Sequence, residues 1–247
     1  MTVRKSGNTT STFNEVDRLQ NKQSERFIFS AYASSVGAVL HRPLKAFLSD
    51  TPCAAIPVTG GLISQSRENI IFKIESQELL SVGRASATVL AERRDDQYVT
   101  LATTTVENLN ILDVVTADAV VSRVTSVFPA GDNRLGRLGP DDHKARFFLA
   151  RSRFDNLKID RKLIECKLNP TLGSEEGFLI NKFDTRHDSL FADGCQEFKI
   201  PQFGTIHLGQ VDIYSAKIIL TMLRVELGCP IVATTTAGTT STNGTDG

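Results

Sequence analysis

The longest apolar run of the chain, VENLNILDVVTADAVVSRV at residues 106–124, constrains the fold more than any other stretch. A helical stripe started at Val114 gathers Val114, Ala117, Asp118 and Val121, which puts a carboxylate in its middle. A membrane span needs about 18 uninterrupted apolar residues, and no stretch of the chain supplies them. Alternation fits better. Leu109, Ile111, Asp113, Val115, Ala117, Ala119 and Val121 fall on one side of a pleated chain. Asn108, Asn110, Leu112, Val114, Thr116, Asp118 and Val120 fall on the other. Val and Thr suit a pleated surface, so the run reads as two strands with a bend at Asp113. Asp118 is then a structural polar group, a strand-face carboxylate bonded to neighbouring hydroxyls or backbone. The competing reading aims it into a site.

The same period of two recurs elsewhere. NIIFKIES at 69–76 sets Ile70, Phe72 and Ile74 on one face. Residues 79–92 and 98–109 flank a charged RRDDQ turn and read as a hairpin. Residues 51–61 read as loop, 129–143 as a long loop, and 171–197 as an irregular insertion. In 217–227, Ile219, Thr221, Leu223, Val225 and Leu227 share one face while Ile218, Leu220 and Met222 share the other, which predicts a strand buried on both sides. The helix candidates are residues 12–22 and 183–193. About ten strands and little helix predict an all-β fold, a β-sandwich of jelly-roll-like or Ig-like form. The expected organisation is a flexible polar arm at 1–24, a single sandwich domain over 25–233, and a disordered Thr/Gly-rich tail at 234–247.

Composition narrows the function. Lys and Arg number 28 and so do Asp and Glu, so the balanced charge predicts no nucleic-acid partner, and the lack of a long apolar stretch predicts no membrane insertion. The polar first 26 residues contain no apolar core of the kind a secretory leader has. The chain as given is therefore expected in the cytoplasm or exported by a route without such a leader. The 4 cysteines, Cys53, Cys166, Cys195 and Cys229, show no CxxC spacing. A zinc knuckle is not expected; three disulfide connectivities and four free thiols all remain open.

Few residues suggest chemistry. Asp132, Asn133, Asp141 and Asp142 gather oxygen ligands in one loop, a candidate calcium site, although acidic turns are commonly just solvated. No other cofactor is expected. His187 stands beside Asp184, Asp188 and Ser189, but a triad requires convergence in space rather than in sequence. His207 alternates with Ile206 and Leu208 as an ordinary strand histidine.

Four blocks taken in order carry a resemblance: LLSVGRASATV, TTVENLNILDVVTADAVVS, SRFDNLKIDRKLIECKLNP and IPQFGTIHLG. Together they resemble the choice-of-anchor P domain, a bacterial β domain of the cell surface, over roughly residues 26–238. VVTADAV is the most specific block. The hairpin here has Asp160-Arg161 where that family has Asn-Gly, so a primed turn puts Arg161 at positive φ. The resemblance implies a cell-surface setting and carries no catalytic residues. The preferred expectation is a non-enzymatic structural or assembly module with protein partners or self-association. The alternative is a ligand-binding or adhesive domain, for glycan or calcium, built on loops 129–143 and 171–197. A hydrolase around His187 is the third.

Overall fold

The computed structural model describes residues 27–42, 45–130, 145–180, 185–214, 217–228 and 232–246. In chain order the strands are β1 (Phe27–Arg42), β2 (Ala46–Ala55), β3 (Gly61–Ile74), β4 (Gln77–Arg94), β5 (Gln97–Ile111), β6 (Val115–Pro129), β7 (Arg146–Phe148) and β8 (Arg153–Asp155). They continue as β9 (Lys158–Ile159), β10 (Lys162–Leu163), β11 (Phe178–Leu179), β12 (Thr185–Ser189), β13 (Glu197–Ile200), β14 (Gly204–Tyr214), β15 (Lys217–Leu227) and β16 (Val232–Asp246). Two antiparallel sheets pack face to face as a β-sandwich. One runs β12-β14-β15-β16-β1-β2 with β13 beside β14; the other runs β10-β9-β6-β5-β4-β3, with β7 and β8 also on β6.

The turns follow from local chemistry. β4 and β5 meet at Arg94↔Gln97, as the RRDDQ segment predicts. The bend expected at Asp113 is a tight turn, with Leu112 at φ 52°, Asp113 at φ 57° and Val114 N–H donating to the Ile111 carbonyl at 3.0 Å. Asn110 clasps it, giving its amide to Asp113 Oδ1 at 2.7 Å and accepting the Asp113 N–H at 2.9 Å. Asp160 (φ 49°) and Arg161 (φ 63°) form the primed turn between β9 and β10.

Both sheets carry a transverse row where the alternation changes phase. In the nine-stranded sheet the row is Asn69, Gly83, Asn108 and Asp118, each falling in a gap of the register. Asn69 and Asn108 are left-handed at φ 54°, a conformation Asn tolerates better than most residues. β4 accordingly buries Leu80 and Val82 before the row and Ala85, Ala87, Val89 and Ala91 after it. In the seven-stranded sheet Gly209 (φ 62°) and Gly238 (φ 69°) do the same with Met222 and Ser35 between and beside them. A Cβ on Gly209 would lie 2.5 Å from the Phe191 ring. The register is the same on either side of each row, so no residue is inserted and the left-handed residues exchange the two faces of the strand without a slip in pairing.

Four expectations are corrected. β15 is not buried on both sides: it buries Ile218, Leu220 and Met222, then switches phase to Leu223, Val225 and Leu227. The predicted helix at 183–193 contains the strand β12, and residues 51–55 belong to β2 rather than to a loop. The predicted disordered tail is β16, a central strand paired with β1 from Ala33↔Thr240 to Phe27↔Asp246 and with β15 along its other edge. Polarity misled that expectation. Alternate threonines of the tail turn inward, with Thr235, Thr240 and Thr242 buried, and Thr is as β-branched as Val. The domain therefore runs past residue 233. The N-terminal arm and the helix candidate at 12–22 lie outside the described residues, among which no helix is long and apolar enough to cross a membrane.

Candidate functional site

β6 supports an irregular covering layer, residues 145–180, with residues 190–196 packed against it. β7 pairs with it at Thr125↔Phe148, β8 at Val121↔Arg153 and β9 at Val115↔Ile159. Between β7 and β8 the chain bulges out over residues 149–152, closed by Ser152 N–H donating to the Leu149 carbonyl at 2.9 Å. The Ser152 hydroxyl takes over the missing ladder bonds. It accepts the Arg123 N–H at 2.9 Å and donates to the Arg123 carbonyl at 3.0 Å. A buried backbone that loses its strand partner needs such a substitute.

Clefts open on both sides of this bulge. One, about 380 Å³, is lined by Arg123, Thr125, Phe148, Arg151 and Glu175. Burial, and then the positive charge of Arg151, lowers the Arg123 guanidinium below its ordinary value. Two converging guanidinium groups favour an anionic guest such as a carboxylate or phosphate. The other cleft, about 560 Å³, is lined by Phe154, Asn156, Ile164, Cys166, Leu168 and Phe191 among others. It offers an apolar floor with the Asn156 amide and the Cys166 thiol, and Arg151, Arg153 and Glu165 add charge to its lining.

The residues singled out in the sequence lie elsewhere. Asp118 is exposed and accepts the Asn156 side-chain amide at 2.6 Å, so it holds the left-handed Asn156 (φ 51°) at the end of β8; Asn156 lines the 560 Å³ cleft and Asp118 does not. His187 projects from β12, and its Nδ1 lies 2.5 Å from Asp212 Oδ1 on β14, with the Tyr214 ring edge-on at 5.8 Å. The neighbours expected to join it are engaged otherwise: Asp188 pairs with Arg186 at 2.8 Å, and the Ser189 hydroxyl accepts the Phe191 N–H at 3.2 Å. Asp184 lies outside the described residues. An exposed His–Asp contact of this kind contributes little beyond pinning β12. His207 sits half-buried on β14, 3.6 Å from Glu197. The candidate calcium ligands Asp132, Asn133, Asp141 and Asp142, with most of loop 129–143, also lie outside the described residues. Among the described residues no three His, Cys, Asp or Glu side chains converge to hold a metal.

Neither cleft was evident from sequence. Arg123 and Arg151 are far apart in the chain and meet only through the pairing of β6 with β7 and β8. The signal present was RSR, residues 151–153, a serine between charges directly after an apolar strand.

The chain belongs to the family described as Domain of unknown function (DUF8256), whose model matches residues 27–196. That match covers β1 to β12 and the covering layer with both clefts. No curated protein and no solved structure matches the chain.

Proposed function

We propose that this member of the family is a non-enzymatic structural module that assembles through its strand edges. The carrying observation is the form of the sheets. Strands of 14 to 18 residues, such as β3 and β4, run about 45–60 Å, against a usual strand of about 17–20 Å. On one side of this slab both sheets end on long outer strands, β2 and β3. Such edges present rows of N–H and C=O groups that accept another strand. Apolar side chains stand exposed along them, Phe47 at 75% and Leu62 at 63%. Arg67, Glu68 and Lys73 on β3 work against indiscriminate pairing.

Light scattering coupled to size exclusion tests this. The expected mass exceeds that of one chain and falls on dilution, and Ser66→Pro in the middle of β3 returns it to one chain. A single-chain mass at every concentration, with freely exchanging β2 and β3 amides, overturns the proposal. The resemblance to choice-of-anchor P domains supports a cell-surface setting for such a module.

The Arg123–Arg151 cleft favours a second reading, a ligand-binding domain that uses the 171–197 segment through Glu175. Thermal shift with sulfate, citrate, calcium and glycans separates the two. Stabilisation by anions that is lost in Arg151→Ala supports binding; no shift with any of them removes it.

A further inference from the structure

After β10 the chain runs antiparallel to the segment that follows β12. Leu168 bridges to Phe191, Asn169 N–H donates to the Leu190 carbonyl at 2.8 Å, and Ala192 N–H donates to the Lys167 carbonyl at 2.8 Å. Continued at that register, Cys166 would face Asp193. The turn at 192–195 changes the partner. Cys195 N–H donates back to the Ala192 carbonyl at 3.3 Å, with Gly194 at φ 92° in the third position, where a type II turn requires positive φ. The turn folds Cys195 against the neighbouring segment. Its thiol donates to the carbonyl of Glu165, the residue directly before Cys166, at 3.3 Å, which brings the two cysteines to neighbouring positions. Both cysteines are free and half-buried, and both pack on the main core. Cys195 is half-exposed among the exposed Asp193, Gly194 and Gln196, which gives a small reagent access to it, and Cys166 lines the open 560 Å³ cleft.

We propose that Cys166 and Cys195 are an oxidisable pair that closes a disulfide by exchange with a small disulfide oxidant, stapling the strand after β10 to the turn before β13. This inference does not depend on the assembly reading. Cys195 attacks the oxidant as thiolate, forms a mixed disulfide and releases one thiolate of the oxidant. Cys166 then gives its proton to solvent, attacks the Cys195 sulfur and releases the second. Two protons and two electrons pass from the protein to the oxidant, which leaves as two thiols. Burial, and next the charge of Cys195, push the Cys166 thiol up to about 12. The charge of Cys195 is gone once that sulfur is in the mixed disulfide, but burial remains, so the closing step speeds up as the pH rises past the ordinary thiol range of about 8.5.

The test is oxidation of the full chain with glutathione disulfide, followed by digestion, mass spectrometry and a thermal melt. The expected result is a peptide pair cross-linked through Cys166 and Cys195, a rate that rises steadily with pH, and a thermal midpoint raised by about 5–10 °C. Cys166→Ser should instead stop at glutathione attached to Cys195, with no rise in the midpoint. Repeating the oxidation in a Cys53→Ser, Cys229→Ser background keeps the proposal open to failure if Cys166→Ser folds poorly. Separate glutathione adducts on Cys166 and Cys195, or a cross-link through Cys53 instead, overturn it.

Discussion

The two ends of the inter-sheet core are built from different materials. Between β1–β2 and β4–β5 the sheets meet through Ala31, Ala33, Ala54, Ala87, Val89 and Ala102. The Ser35 side chain spans the gap there, donating to the Ser86 carbonyl of the opposite sheet at 2.7 Å, and next to it, between β6 and β16, Ser122 bonds Thr240 across the sandwich at 2.8 Å. Short side chains on both faces let the sheets approach more closely than the usual spacing of about 10 Å. Toward the covering layer the core is large instead, with Leu80, Leu109, Ile111, Leu149, Leu190, Phe191, Ile206, Leu208 and Ile213 fully buried. Here the sheets are propped by bulk, and irregular chain wraps over them. The two clefts beside the 149–152 bulge and the cysteine pair lie in this second region, whereas a shallower cleft of about 360 Å³ is formed on β1, β2 and β16. A close-packed end holds the slab together, and the bulkier end has the slack that sites require.

Variants can break this contrast, beginning with the largest effect. Phe191→Ala removes a fully buried ring that packs on Phe154 at 5.5 Å, and should cost about 3–5 kcal/mol in denaturant unfolding. A loss below about 1 kcal/mol would show that the covering layer is not part of the core. Ala87→Leu puts bulk into the tight end and should cost about 1–3 kcal/mol. If it is neutral, the sheets there are not in close contact. The smallest effect has the opposite sign. The buried hydroxyls of Thr100, Thr104, Ser126 and Thr242 have no hydrogen-bond partner among the described residues. Thr104→Val keeps the shape and relieves one of them, so it should stabilise by about 1 kcal/mol. A destabilisation of that size would mean that Thr104 has a polar partner after all.

Much of this was legible in the sequence. Local alternation gave the β class, the hairpin at 93–97 and the turn at Asp113, because a half-buried strand writes its two faces directly into the chain. The Asp160-Arg161 turn was legible for the same local reason. The phase-switch rows were partly written too, as Asn69 and Asn108 standing inside strand patterns, where Asn is otherwise out of place. In the seven-stranded sheet the row crosses β15 at Met222, an ordinary strand residue, so the sequence of β15 carries no local mark of its change of phase. The Thr-rich tail was missed because threonine counts as polar in composition and as a strand former in a sheet.

The sequence by itself determined the strands of strong alternation, β3 to β6 and β14 to β15, and most of their turns, since both depend on neighbours one to three residues away. Only the tertiary structure decided that residues 232–246 form a central strand, that Asp118 serves Asn156, that Arg123 meets Arg151, and that Cys195 turns back onto Cys166. Each of these depends on which strands become neighbours, and pairing between distant segments is fixed by packing the whole sandwich rather than by any local pattern.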